Sequence, residues 1–161
     1  MAPSLLALAY WLHMAATVLW IGGLVFQSLI LAPALVPDSD LPERVRRRFE
    51  PLAWLCLAVL VGTGLMQMTA NPNYTGLLAV DNRWSAAILV KHIFIGAMVV
   101  VAAYQTWGVQ PALARIRWAL SHSAGDQAAL RSLQRRRRSL LHLQTAVSML
   151  VLALTAVARS A

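Results

Sequence analysis

Four long apolar runs alternate along the chain with shorter polar segments. The runs cover about residues 5–35, 51–70, 85–108 and 139–158, and no charged residue precedes Asp38. About 20 apolar residues suffice for a helix to cross the hydrocarbon core of a bilayer, so each run is long enough for one span. The pattern predicts an all-α integral membrane protein, a single domain built as an up-down four-helix bundle.

The segment at about residues 111–138 is polar, but it has helical composition on both sides of a turn at 121–126. Asp126 is a suitable N-cap for the helix that follows this turn. We therefore expect the third and fourth spans to extend beyond the membrane as a cytoplasmic helical hairpin. Pro111 is expected to kink or interrupt the third span, and Pro51 is expected in the first turn of the second.

Positive charge is concentrated on one side of the predicted bundle. Hydrophobic residues make up 59% of the chain, which excludes an ordinary soluble domain, and eleven of its 14 lysine and arginine residues lie after the first and third spans. The other side carries Arg83 and Arg159. The positive-inside rule then places both termini on the outer side of a bacterial-type inner membrane. The arginine segments are expected to bind anionic lipid head groups rather than nucleic acid.

Two histidines lie at the same predicted depth in the membrane. His13 and His92 each lie about eight residues from the outer end of their spans, which corresponds to about 12 Å. An ionisable side chain inside a span is a candidate functional residue. The matched depth predicts that both histidines ligate one metal ion or haem iron. The alternative is that each forms an unrelated hydrogen bond with a neighbouring helix.

The second ligand is either His92 or its neighbour Lys91. Adjacent helical residues point about 100° apart, so only one of them is expected to face a ligand directly. His92 is favoured because a lysine must lose its proton before it can ligate.

The polar residues of the first span fall on one stripe, which we expect to face the interior of the bundle. Gly22 and Gly23 lie beside it and permit close approach of a helix or a flat ligand. The stripe consists of His13, Thr17, Trp20, Leu24 and Gln27.

Copper is the alternative to haem. Met66 and Met68 lie near the outer end of the second span, and thioether sulfur suits Cu(I), so these residues together with His13 and His92 are a candidate copper site. The competing interpretation is that both methionines only fill the core. No Cys-x-x-Cys-His motif is present, so a bound haem would be b-type and non-covalent.

The first span also carries a known pattern. The run from His13 through Trp20-Ile21-Gly22-Gly23-Leu24 resembles the first-helix signature of the CopD-like copper-resistance membrane proteins, and residues 90–113 resemble the lysine-bearing helix of that family and its following proline. The first helix is also similar to that of HemJ-type protoporphyrinogen oxidases. That likeness implies His13 and Lys91 as a haem-linked functional pair. The run Phe26-Gln27-Ser28-Leu29 departs from the HemJ pattern, which favours the CopD-like family.

The leading hypothesis is a b-type haem protein of the inner membrane, active in electron transfer or in a quinone- or oxygen-linked redox step. Under this hypothesis, an enzymatic activity would be that of a haem-dependent membrane oxidoreductase, with a quinone or a protein as its redox partner. The alternative is a copper-binding or copper-transport protein, and the third hypothesis is a non-catalytic subunit of a larger complex. A homodimer is a further expectation. The residues expected to hold the haem are His13, His92 or Lys91, Trp20, Gly22 and Gly23.

Overall fold

The computed structural model describes residues 3–31, 41–72, 74, 76, 83–122 and 126–160. Within these ranges the regular elements are all helical. They are α1 (Pro3–Val25) with a π-helical segment Phe26–Leu31, α2 (Leu41–Thr69), α3 (Arg83–Ala103) with a π-helical segment Tyr104–Val109, α4 (Gln110–Ser121) and α5 (Gln127–Ser160).

Four helical stretches in the described part of the chain are long and apolar enough to cross a membrane. Their number and order confirm the predicted all-α membrane bundle. Large apolar side chains such as Trp11 and Val18 are about two-thirds exposed, as expected where lipid rather than water surrounds the protein. The stretches are Pro3–Leu31, Arg44–Thr69, Trp84–Ser121 and Gln127–Ala156.

Pro51 does not lie in the first turn of its helix, and Pro111 does not interrupt the third span. Pro51 lies well inside α2, which begins at Leu41. Pro111 lies in the first turn of α4, directly after the second π-helical segment, and the helix continues through it. In the first turn of a helix, the N–H that proline lacks needs no helical partner. The change to π-helical hydrogen bonding just before Pro111 eases the steric conflict between the proline ring and the carbonyl of the preceding turn.

In the described residues, α4 precedes Asp126 and α5 follows it. The backbone N–H of Ala128 donates to Oδ1 of Asp126 at 2.7 Å, so Asp126 caps α5. α5 is one continuous helix from Gln127, and α4 packs against it. The predicted end of the first span, residues 32–35, lies outside the described residues.

The helices pack as two pairs. α1 packs mainly against α2, α3 packs mainly against α5, and contacts between α1 and α5 join the pairs. The core contains the predicted inward stripe of the first span, since Trp20, Leu24 and Gln27 are all more than nine-tenths buried. Within the described residues α2 and α3 contact each other much less, and a crevice with cavities at both ends runs between them.

Polar groups tie the two pairs together inside the core. The indole N–H of Trp20 donates to the hydroxyl of Ser148 at 3.3 Å, which links α1 to α5. Nε2 of Gln105 donates to Oε1 of Gln144 at 2.5 Å, which links the second π-helical segment to α5. Both amides are at least nine-tenths buried. Because hydrocarbon offers no alternative hydrogen-bond partner, these bonds select one packing of the helices.

The amide pair predicts a specific pattern of stability. Gln105→Leu should lower the free energy of unfolding in detergent by about 1 kcal/mol, because the buried Gln144 amide loses its partner. The double variant Gln105→Leu/Gln144→Leu should recover most of that loss, since no unpaired amide remains. Thermal unfolding of the three proteins measures the effect, and strictly additive losses would contradict it.

The arginine distribution predicts the membrane orientation. Arginines from α2, α4 and α5 line adjoining cavities at one end of the bundle, as expected if they lie on one side of the membrane. Alkaline phosphatase fused after Ala161 should therefore be active, because it would be periplasmic, and the same enzyme inserted after Ser121 should be inactive. The reverse pattern would show that the termini are cytoplasmic.

Candidate metal centre

A cavity of about 150 Å³ lies at the end of the crevice away from the arginines, between α1, α2 and α3. We call it the histidine cavity. It contains four of the residues singled out in the sequence, namely His13, Met68, Lys91 and His92, together with Thr155 of α5. Among the described residues, its lining also includes the polar side chains of Tyr10, Gln67 and Asn71.

His13 is oriented by a threonine on the neighbouring helix. Its Nδ1 lies 2.8 Å from Oγ1 of Thr63, and that hydroxyl lies 2.5 Å from the carbonyl oxygen of Val59. The threonine hydroxyl has a single hydrogen, which the carbonyl requires, so the hydroxyl accepts from Nδ1–H of His13. His13 is therefore the tautomer whose lone pair is on Nε2, the nitrogen that would ligate a metal ion.

His92 has the same tautomer for a different reason. Its Nδ1 lies 2.7 Å from the carbonyl oxygen of Ile88, which can only accept, so Nδ1 carries the hydrogen. Metal-ligating histidines commonly donate their other ring N–H to such a carbonyl. The exposed His122 makes the same contact with Trp118, so this bond alone does not mark a site. The shared cavity distinguishes His92.

Met68 and Lys91 complete the predicted set in this cavity. Met68 is 6% exposed and lines the cavity, whereas Met66, two residues earlier on α2, is not part of its lining. Lys91 and His92 both reach the cavity although they are adjacent in the chain. The sequence predicts that only one of them faces the site. Both line this cavity because the cavity lies across the face of α3 between the two side chains.

The remaining predicted residues lie elsewhere. Trp20 lies about 10 Å further along α1 than His13 and lines a cavity at the arginine end. Gly22 is exposed, with open space where a side chain would stand, and Gly23 lies directly against the ring of Phe49. Gly23 therefore permits helix packing, and neither glycine lines the histidine cavity.

Sequence reasoning missed the residues of α2 that position the first span. Thr63 holds the His13 ring, and Gln67 donates from Nε2 to the carbonyl oxygen of Ala9 at 3.2 Å. These two polar residues are four apart in an apolar helix, which places them on one face. That spacing was the available signal, and it indicates the face of α2 that contacts α1.

The side chains present restrict which metal ions this site could hold. Among the described residues no group of three or more histidine, cysteine, aspartate or glutamate side chains is placed to hold a metal ion. The histidine cavity instead offers two imidazoles, which suit copper among other metals, and one thioether, a soft ligand that suits Cu(I).

Comparison with known proteins assigns the chain to a family. The family model CopD, described as copper resistance protein D, matches residues 43–158, which is more than half of the chain. The match includes Met68, Lys91 and His92 but begins after His13. No curated protein and no solved structure matches the chain. With its four membrane-spanning helices, this chain is a multi-pass membrane protein and belongs to the copper resistance protein D family.

Proposed function

We propose that the protein binds copper as Cu(I) in the histidine cavity and takes part in copper transport across the membrane. The proposed ligands are Nε2 of His13, Nε2 of His92 and the sulfur of Met68. The observation that carries the proposal is that both histidines line one cavity and both have Nδ1 engaged as a donor. The copper resistance family supports the choice of metal.

The charge of the cavity favours Cu(I) over a divalent ion. Lys91 lies in the lining and, when protonated, adds a positive charge that opposes a bound cation. A singly charged ion is repelled about half as strongly as a divalent ion at the same distance. Imidazole and thioether ligands bring no negative charge, which again suits the ion with the smaller charge.

The position of the cavity suggests how copper enters. The cavity lies at the end of the bundle that the positive-inside rule places outside, while Trp20, Leu57 and Met98 fill the core toward the other end. We therefore propose that copper enters from the outer side. Passage to the inner side would require the packed core to rearrange.

Haem b is the second candidate, since two imidazoles on one cavity also suit the axial positions of a haem iron. The cavity volume of about 150 Å³ favours copper, because pockets for larger organic ligands usually measure about 300–1,000 Å³. The absence of Trp20, Gly22 and Gly23 from its lining also weighs against haem. Electron transfer and a quinone or redox partner protein belong to this second candidate.

The surface of the bundle is suited to a bilayer, since large apolar side chains such as Ile93 and Val100 are about two-thirds exposed. More specific partners remain predictions. These are anionic lipid at the arginine segments, a homodimer, and a role as a non-catalytic subunit of a larger complex.

The proposal predicts that both histidines contribute to copper affinity. His13→Ala and His92→Ala should each weaken Cu(I) binding by more than about 100-fold, since even the partners that orient metal ligands are worth about 10–100-fold. Thr63→Val, which removes only the acceptor of His13, should weaken it about tenfold. Competition with a Cu(I) chelator in detergent measures these affinities.

His142→Ala is the matched control, because His142 is exposed and lies outside the cavity. It should bind copper as the wild type does. Equal affinities in all variants would exclude this site. A Soret band in the purified protein that sharpens on reduction and disappears in His13→Ala would instead favour haem.

The two methionines provide a second test. Met68→Leu should weaken Cu(I) binding about tenfold or more, because it removes a soft ligand while keeping nearly the same side-chain volume. Met66→Leu should leave the affinity unchanged, since Met66 does not line the cavity. The same chelator competition compares them, and equal losses would show that the methionines act only through packing.

A further inference from the structure

A second cavity, of about 80 Å³, lies at the arginine end of the α2–α3 crevice and extends into the core as far as Trp20. Apolar side chains such as Leu57 and Leu141 form part of its wall. Its lining also contains several uncharged amides, and we call it the amide cavity. These amides belong to Gln27, Gln105, Gln110 and Gln144.

Gln27 is buried in the amide cavity without a hydrogen-bond partner. The residue is 8% exposed, and among the described residues none forms a hydrogen bond with its side chain. Gln105 and Gln144, by contrast, bond to each other. Burying an amide is costly unless its hydrogen bonds are replaced, and hydrocarbon cannot replace them. The Gln27 amide therefore indicates a polar ligand in this cavity.

We propose that the amide cavity holds a cluster of water molecules hydrogen-bonded to Gln27. One water molecule needs about 10–15 Å³ of cavity volume, so about 80 Å³ accommodates several. Organic ligands usually occupy pockets of about 300–1,000 Å³. A buried water molecule also needs two to four polar partners. The hydroxyl of Thr106 and the amide of Gln110 supply further partners, since neither is hydrogen-bonded to another described side chain.

An adjoining cavity connects this water to the end of the bundle. It measures about 320 Å³, lies between α2, the second π-helical segment and α4, and shares Thr106 and Gln110 with the amide cavity. Exposed residues, including Pro111 and Ala114, form part of its lining. Water thus enters from the side that the positive-inside rule places in the cytoplasm.

Toward the other side of the membrane the core is closed. Trp20, Cys56 and Met98 belong to one cluster of buried side chains, and each is at most 5% exposed. Trp20 lies about 10 Å further along α1 than His13. The amide cavity is therefore a hydrated inner vestibule, and copper leaving the histidine cavity would cross only this short closed layer. The role in copper transport rests on the proposed function, whereas the bound water does not.

X-ray radiolytic footprinting of the copper-free wild-type protein tests for the water. Hydroxyl radicals formed from bound water oxidise the side chains beside it. Trp20, which lines the amide cavity, should be oxidised severalfold faster than Cys56 and Met98, which are similarly buried but lie outside its lining. Sulfur side chains are readily oxidised wherever an oxidant reaches them. Oxidation of Trp20 no faster than that of Cys56 and Met98 would overturn the proposal.

Two neighbouring positions provide a matched comparison at one depth. Ser28 is 1% exposed and does not line the amide cavity, although it follows Gln27 directly. In a Cys56→Ser background, Gln27→Cys should react with iodoacetamide about tenfold faster than Ser28→Cys, because the reactive thiolate forms only where water reaches the sulfur. Equal rates would contradict a hydrated cavity.

Copper uptake into proteoliposomes tests the role of the vestibule. Gln27→Leu should slow Cu(I) uptake severalfold without changing the Cu(I) affinity measured by chelator competition, since Gln27 lies outside the histidine cavity. Gln27→Asn, which keeps an amide, should restore most of the rate. Unchanged uptake in Gln27→Leu would exclude this role. A wild-type protein that neither binds nor transports copper would overturn the proposed function and this role with it, whereas the footprint would still decide whether the cavity is hydrated.

Discussion

The hydrocarbon core of the membrane offers polar groups no hydrogen-bond partner, and the rest of this structure depends on that constraint. Polar side chains within the spans must find partners inside the protein, so they lie between helices. The bonds from Trp20 to Ser148, from Gln105 to Gln144 and from His13 to Thr63 each join two different elements. The apolar surface meets lipid, and the polar contacts determine which helices pack together and in which register.

The same constraint orients the side chains of the candidate copper ligands His13 and His92. Thr63 satisfies a carbonyl of its own helix and thereby becomes an acceptor for His13, while Ile88 provides an acceptor for His92. Each ring is oriented by its Nδ1–H, and each presents Nε2 as its basic nitrogen. Bonds that contribute to packing thus also orient the two candidate ligands. This orientation reduces the ordering cost of binding.

The two ends of the crevice between α2 and α3 are lined by different kinds of side chain. At one end the lining includes two imidazoles and a thioether, and at the other it includes four arginine side chains. The closed core around Trp20 and Met98 lies between them. Because α2 and α3 contact each other little within the described residues, a ligand in the histidine cavity would not have to break the α1–α2 and α3–α5 pairs.

The four spans, the inward stripe of α1 and the pairing of His13 with His92 at one cavity followed from the sequence, because span length, helical period and rise per residue are local properties. Tertiary structure decided which neighbours complete the site. Met66 and Met68 differ by about 200° around α2, and only packing against α1 determined that Met68 faces the histidines. Helix packing likewise placed the indole of Trp20 beside Ser148 and placed Gly23 against the ring of Phe49. Such contacts join residues distant in the chain, which periodicity alone does not reveal.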